Sequence, residues 1–356
     1  MKQFIKIILL YVLIITTPLW GMKEMKEFRL VQQWNHGDQG IYTSICDPII
    51  DNEGHIIIAQ GKVGLKLITP DRIVFFAPIG LGPSDIYMMS AMCNYKADVA
   101  FIEMTQKVKV FTKKENTYKW KETKWLKQEY YVHLFRRALF FNDKWFLAGE
   151  KELAKEEKRN NKKQREVILL KVYDNNGKPL ASLFNRAYEK PNKLSLMEYY
   201  LAGHKSSVFL MAENELKVYE VDANSLNVIR EVPLEVPSFY KKMPKDFYIF
   251  KKYDDDPSGF HRDYENWKVS YSRIENISVE DGYLVVQIRT FQDSQKKFAL
   301  LFYNADTLKL EKTVFINDLF MGSRNSKYYF YANGNPGRDE DTDKCIINIY
   351  AFEEKQ

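Results

Sequence analysis

Cysteine, histidine and helical periodicity are all scarce in this chain, and each scarcity narrows what it can be. The three cysteines, Cys46, Cys93 and Cys345, are odd in number and widely spaced among apolar residues. A dense disulfide framework is therefore excluded, and buried thiols are expected. The five histidines (His36, His55, His133, His204, His261) form no H-x-H or H-E-x-x-H pair, and there is no C-x-x-C. No metal ligand is assigned and no cofactor is implied. A G-x-S-x-G elbow and the glycine-rich phosphate loops are missing too. Charge of one sign is not in excess: 53 Lys+Arg face 47 Asp+Glu, leaving +6. That is too small and too evenly mixed to mark a nucleic-acid binder. What is plentiful is aromatic: 6 Trp, 23 Tyr and 23 Phe within a 45% hydrophobic composition, enough to exclude a disordered chain.

Residues 1–21, MKQFIKIILLYVLIITTPLWG, read as an export signal. Lys2 and Lys6 form a positive start, Ile7–Ile15 an apolar core, and Pro18 and Gly21 a breaker and a small residue. The apolar run falls short of the roughly 20 residues that span a bilayer and fits the central region of a secretory signal. An uncleaved anchor or a core helix is the competing reading. No cysteine follows the run, so a lipid-anchoring signal is absent, and no later stretch is apolar enough to cross a membrane. An exported protein, periplasmic or at the cell surface and acting as a monomer, is expected.

Past residue 28, short β-branched and aromatic runs alternate with Gly, Asn and Asp turns, the signature of an all-β fold. Six leading strands recur: His55–Gln60, Asp98–Met104, Lys144–Gly149, Ser207–Ala212, Tyr283–Arg289 and Tyr328–Ala332. Each has a follower, beginning at Leu65, Lys107, Val167, Leu216, Phe298 and Ile346. The leaders start 43, 46, 63, 76 and 45 residues apart. Setting aside two hydrophilic insertions, Lys151–Glu166 and Pro237–Val269, brings every step to between 43 and 47. That period, with several strands per unit, is what a β-propeller blade requires. The sixth unit lacks an outer strand, and Phe28–Asn35 is a spare one. Residues 22–356 are therefore expected to form a six-bladed β-propeller, closed by an N-terminal strand that completes the last blade. A pair of β-sandwiches is the alternative, but no interdomain linker is visible.

The unit Asp51–Ile58, followed by Leu65–Pro70, resembles the D-x-x-G-x-I-x-V…I-x-V-F-D pattern of NHL-like propellers. Gly80–Asp85 resembles the blade-linking G-x-G-P-x-E/D segment of the exported TolB-like group. These motifs report turns rather than chemistry. The resemblance implies partner binding in the periplasm.

If the ring closes, the strand before each leader is innermost: Tyr42–Cys46, Tyr87–Cys93, Tyr131–Phe135, Tyr199–Gly203, Arg273–Ile277 and Leu319–Ser323. Tyr42, Tyr87, Tyr131, Tyr199 and Arg273 would then line an amphipathic channel mouth able to stack and hydrogen-bond a ligand, although packing is the plainer role for each. The Pro237–Val269 insertion carries nine aromatics, among them Tyr248, Tyr253, Phe260 and Trp267. Loops that decorate one propeller face are where binding resides, and these four are candidate partner contacts. The alternative is that the rings fold down onto their own blade. Lys151–Glu166, with seven basic and four acidic residues, reads as a solvated loop. The acidic strings Asp254–Asp256 and Asp339–Asp343 read as turns, the latter lacking the glycine and terminal glutamate of a calcium loop.

Three functions are consistent with this sequence. A non-catalytic propeller engaging a protein partner in the bacterial envelope fits it best. A lactonase- or lyase-like enzyme with an axial metal would need inner-strand ligands, for which only Glu198 and Glu275 offer themselves. A glycan-binding protein of a polysaccharide-uptake system would use the rim aromatics.

Overall fold

The computed structural model describes residues 27–37, 48–60, 64–87, 89–127, 133–151, 165–167, 170–184, 186–188, 198–242, 270–290, 297–332 and 345–353. Strand β1 (Glu27–Asn35) opens the chain. Blade 1 is β2 (Ile49–Ile50), β3 (Ile56–Gln60), β4 (Gly64–Ile68) and β5 (Ile73–Pro78). Blade 2 is β6 (Met89–Tyr95), β7 (Asp98–Glu103), β8 (Lys107–Lys114) and β9 (Thr117–Trp125). Blade 3 uses β10 (His133–Phe141), β11 (Lys144–Lys151), β13 (Leu170–Asp174) and β14 (Pro179–Leu183). Beside them, β12 (Arg165–Val167), which precedes β13, pairs with β15 (Arg186–Tyr188), which follows β14, in a separate ribbon. Blade 4 is β16 (Tyr199–His204), β17 (Ser207–Ala212), β18 (Lys217–Asp222) and β19 (Val228–Pro233). Blade 5 is β20 (Arg273–Glu280), β21 (Tyr283–Arg289), β22 (Phe298–Asn304) and β23 (Leu310–Ile316). Blade 6 is β24 (Leu319–Arg324), β25 (Lys327–Tyr331), β26 (Ile346–Glu353) and, on the outside, β1. The six-bladed propeller is thus closed as the sequence requires, with Glu27 opposite Glu353 and Asn35 opposite Ile346. No helix among the described residues is long and apolar enough to cross a membrane.

The six innermost strands touch one another in a closed ring, β2 to β6 to β10 to β16 to β20 to β24 and back. Each second strand is covered on both faces by neighbouring blades, so Ser207–Ala212 and Asp98–Glu103 are buried throughout. Doubly covered strands read as continuous apolar runs, which is why the leaders stand out in the sequence. The core is correspondingly divided into six apolar clusters, one at each junction between blades.

Two sequence expectations shift. The run from Val167 is not one strand: Val167 belongs to the small ribbon, and the blade strand begins at Leu170. The inner strand of blade 1 is Ile49–Ile50, hydrogen-bonded to β3, and the expected Tyr42–Cys46 lies outside the described residues.

The two faces of the ring differ. On the lower face, where the inner strand turns into the second, the loops of blades 2 to 6 have two residues and that of blade 1 has five. Asn142–Asp143, Asp281–Gly282 and Asn325–Ser326 all hold positive φ at both positions, the type I′ geometry whose twist matches a hairpin. These turns are stitched blade to blade. Lys96 meets Asp143 at 3.4 Å, Lys205 meets Asp306 at 2.6 Å, the Ser326 N–H donates to Glu280, and Arg324 donates to Asn52. The long connections, including both hydrophilic insertions, join strand ends on the upper face, where the inner strands begin.

Candidate functional site

The upper end of four of the six inner strands is shaped by a recurring β-bulge. The register slips between Met89 and Ala91, Phe135 and Arg137, Ile274 and Asn276, and Phe320 and Gly322. A bulge leaves a residue unpaired and re-aims it; here the extra residues are Ser90, Arg136, Glu275 and Met321. The carbonyl just before a bulge is taken by the blade before it. Ser90 Oγ donates to the Phe135 carbonyl, Tyr200 Oη to that of Ile274 at 3.0 Å, and Asn276 Nδ2 to that of Phe320 at 3.2 Å. The bulges are thereby built into the junctions between blades.

Two of the bulged residues, Arg136 and Glu275, belong to an arc of alternating charge across blades 3, 4 and 5. Arg136 and Arg137 reach Glu198 at 2.8 and 3.2 Å. The Glu198 N–H donates to Glu213 Oε2 at 2.9 Å. Arg273 donates from Nη1 to Glu213 at 3.0 Å, and from Nε and Nη2 to the two oxygens of Glu275 at 2.9 and 3.3 Å. Arg289 closes the arc on Glu275 at 2.7 Å. Burial raises the pKa of Glu213, and the opposing pull of Arg273 does not restore it. Burial acts the same way on Glu275, but Arg273 and Arg289 together outweigh it and hold this carboxyl below its ordinary value. The guanidinium of Arg289 also lies 5.4 Å from the Phe298 ring centre, and among the described residues its buried Nη2 has no hydrogen-bond partner.

The two inner-strand carboxylates that sequence offered as axial metal ligands are therefore engaged by arginines. Among the described residues, no group of three or more His, Cys, Asp or Glu is placed to hold a metal ion.

The candidate mouth residues separate. Arg273 sits at the centre of the arc. Tyr199 heads its strand but is only 1% exposed, packed between blades 3 and 4 against Phe146 and Val208. Tyr87 is 42% exposed at the upper end of blade 2, its N–H bonded to Glu103. Tyr42 and Tyr131 lie outside the described residues, as do the rim candidates Tyr248, Tyr253, Phe260 and Trp267 and both acidic strings. Gly80–Asp85 is a structural turn: Asp85 accepts from the Gly82 N–H at 2.9 Å, and Lys109 donates to the Gly82 carbonyl at 3.1 Å.

The described ends of the aromatic insertion are pinned together. The Ser272 N–H donates to the Lys241 carbonyl and the Lys241 N–H to Ser272 Oγ, both at 3.0 Å. Phe239 packs on Phe315 of blade 5 at 4.9 Å, and Tyr240 Oη donates to the Asn214 carbonyl beside Glu213. Lys241 and Ser272 therefore form a closed neck on the upper face, next to Arg273. Sequence reasoning found the insertion but missed Arg136, Glu213 and Arg289. They are scattered over 150 positions, and only the bulges and the ring bring them together.

No family model matches the chain, and no curated protein is significantly similar to it. Solved structures are. A DUF4221 family member from Bacteroides vulgatus aligns with TM-score 0.56 at 10% identity, covering 94% of this chain and 100% of that one. A protein of Bacteroides fragilis, described as exported, aligns with TM-score 0.56 at 14% identity over 93% of this chain and 96% of that one. At such identities the likeness is one of fold: the chain shares its six-bladed propeller with these Bacteroides proteins.

Proposed function

We propose that the protein is an exported, non-catalytic propeller that engages a protein partner in the bacterial envelope through its upper face, with residues 243–269 as the main contact. The observation that carries this reading is the closed neck at Lys241 and Ser272. It holds the two ends of the aromatic-rich segment together on the upper face, while the lower face is occupied by short stitched turns. Aromatic side chains supply large contact area at low entropic cost. Tyr248, Tyr253, Phe260 and Trp267 are the proposed contacts, with Tyr87 at the upper end of blade 2 as a further one. The signal-like first 21 residues support export, as does the description of the Bacteroides fragilis structure.

The test replaces residues 243–269 by a short Gly-Ser bridge, which the closed neck accommodates. The variant is expected to keep its melting temperature within a few degrees and to lose the proteins that cross-link to the wild-type chain in native envelopes. An unchanged cross-linking pattern would refute this reading.

A further inference from the structure

We propose that the arginine–glutamate arc across blades 3, 4 and 5 is a binding site for the oxyanion group, carboxylate or phosphate, of a small acidic ligand. The arc holds four arginines, Arg136, Arg137, Arg273 and Arg289, against three glutamates, Glu198, Glu213 and Glu275. Among these seven residues, one positive charge is in excess.

Two donors are unspent. Among the described residues the buried Nη2 of Arg289 has no acceptor, a costly state for a charged donor away from water. At the other end, Arg136 side-chain exposure is 35%, and among the described residues only its Nη1 is engaged, on Glu198. Guanidinium groups match planar or tetrahedral oxyanions through paired N–H donors. Arg136 is the most exposed of the four arginines, so an anion arriving from solvent meets it first.

This site stands on observations independent of the 243–269 segment. The experiment is calorimetric titration of the full chain, at low salt, with inorganic phosphate and separately with glucuronate. Binding of at least one anion is expected, and whichever binds identifies the ligand as phosphate- or carboxylate-bearing. Arg136→Gln and Arg289→Gln are each expected to weaken binding at least tenfold. Glu198→Gln, which releases Arg136 and Arg137, should tighten it several-fold, and Arg29→Gln on the outer strand should leave it unchanged. Arg289→Lys keeps the charge but loses the fork; it is expected to fold and still to bind more weakly. Failure of both anions to bind, or binding indifferent to the Arg136 and Glu198 variants, would overturn the proposal. The chain lacking 243–269 should bind as wild type does, so this result and the partner result are read separately.

Discussion

Arg273 crosses from the inner strand of blade 5 to blade 4 and meets Glu213 at 3.0 Å, while its other nitrogens hold Glu275. One buried cation thus serves two buried carboxyls whose pKa values move in opposite directions. Removing that cation leaves uncompensated charge in the interior. Arg273→Met is expected to cost about 3–5 kcal/mol in urea unfolding. Glu213→Gln should cost less, because burial already works against the charged form of this carboxyl. The pH dependence has two signs. The contribution of Glu213 is present below the ordinary glutamate value of about 4.3 and lost as pH rises through its raised value. That of Glu275 is present above the same value and lost as pH falls through its lowered one. Stability-against-pH curves of Glu213→Gln and Glu275→Gln should therefore flatten on opposite sides.

Asp51 is the hub between blades 1 and 2 on the lower face. It accepts from the Glu53 and His55 N–H groups, from Lys113 Nζ at 3.0 Å and from Tyr118 Oη at 2.8 Å. Burial opposes ionisation, but these donors outweigh it and hold the carboxyl well below its usual range. Asp51→Asn is expected to lose about 2–3 kcal/mol at neutral pH, since charge-assisted bonds are the strong ones. The difference from wild type should shrink as pH falls from about 4, where the unfolded chain's aspartate takes up its proton, down through the lowered value of the folded carboxyl. Denaturant titrations at a series of acidic pH values measure it.

The closing strand depends on a single extra residue. Phe28 stacks on Tyr350 with ring centres 5.2 Å apart and belongs to the junction of blades 5 and 6, whereas Trp34 belongs to the junction of blades 6 and 1. Six residues apart, they would share one face of a regular strand. The bulge between Leu30 and Gln32, where Val31 is the extra residue, sends them to opposite faces. Val31→Ala, at a half-exposed position, should be nearly neutral. Deleting Val31 should cost more than Phe28→Ala or Trp34→Ala alone, each worth about 2–4 kcal/mol. Thermal melting of the four variants checks the order.

Cys93 and Cys345 are unpaired and buried, and burial pushes both thiols up to about 12. Thiolates rather than thiols react. In a Cys46→Ser background, neither remaining cysteine should label with maleimide until denaturant unfolds the chain. Fast labelling of the native protein would contradict this packing.

The residues that were legible in sequence are those whose burial is two-sided. Ser207–Ala212 and Tyr283–Arg289 have the same bounds in sequence and structure, because full burial demands uninterrupted apolar residues. Outer strands such as Val228–Pro233 carry mixed, exposed residues on the perimeter and leave no such trace. The inner strands were placed by counting backward from the leaders, which located Arg273 and Glu275 but not the bulges that re-aim Glu275 and Arg136.

The sequence by itself determined the six-fold period, the missing outer strand and its replacement at Phe28–Asn35, because hydrophobic periodicity and unpaired strand edges are local properties. Tertiary structure alone decided which charges meet. Arg136, Glu198, Glu213, Arg273, Glu275 and Arg289 come from three blades, and it is ring closure that takes them out of water together, so that each must find its counter-charge across a junction.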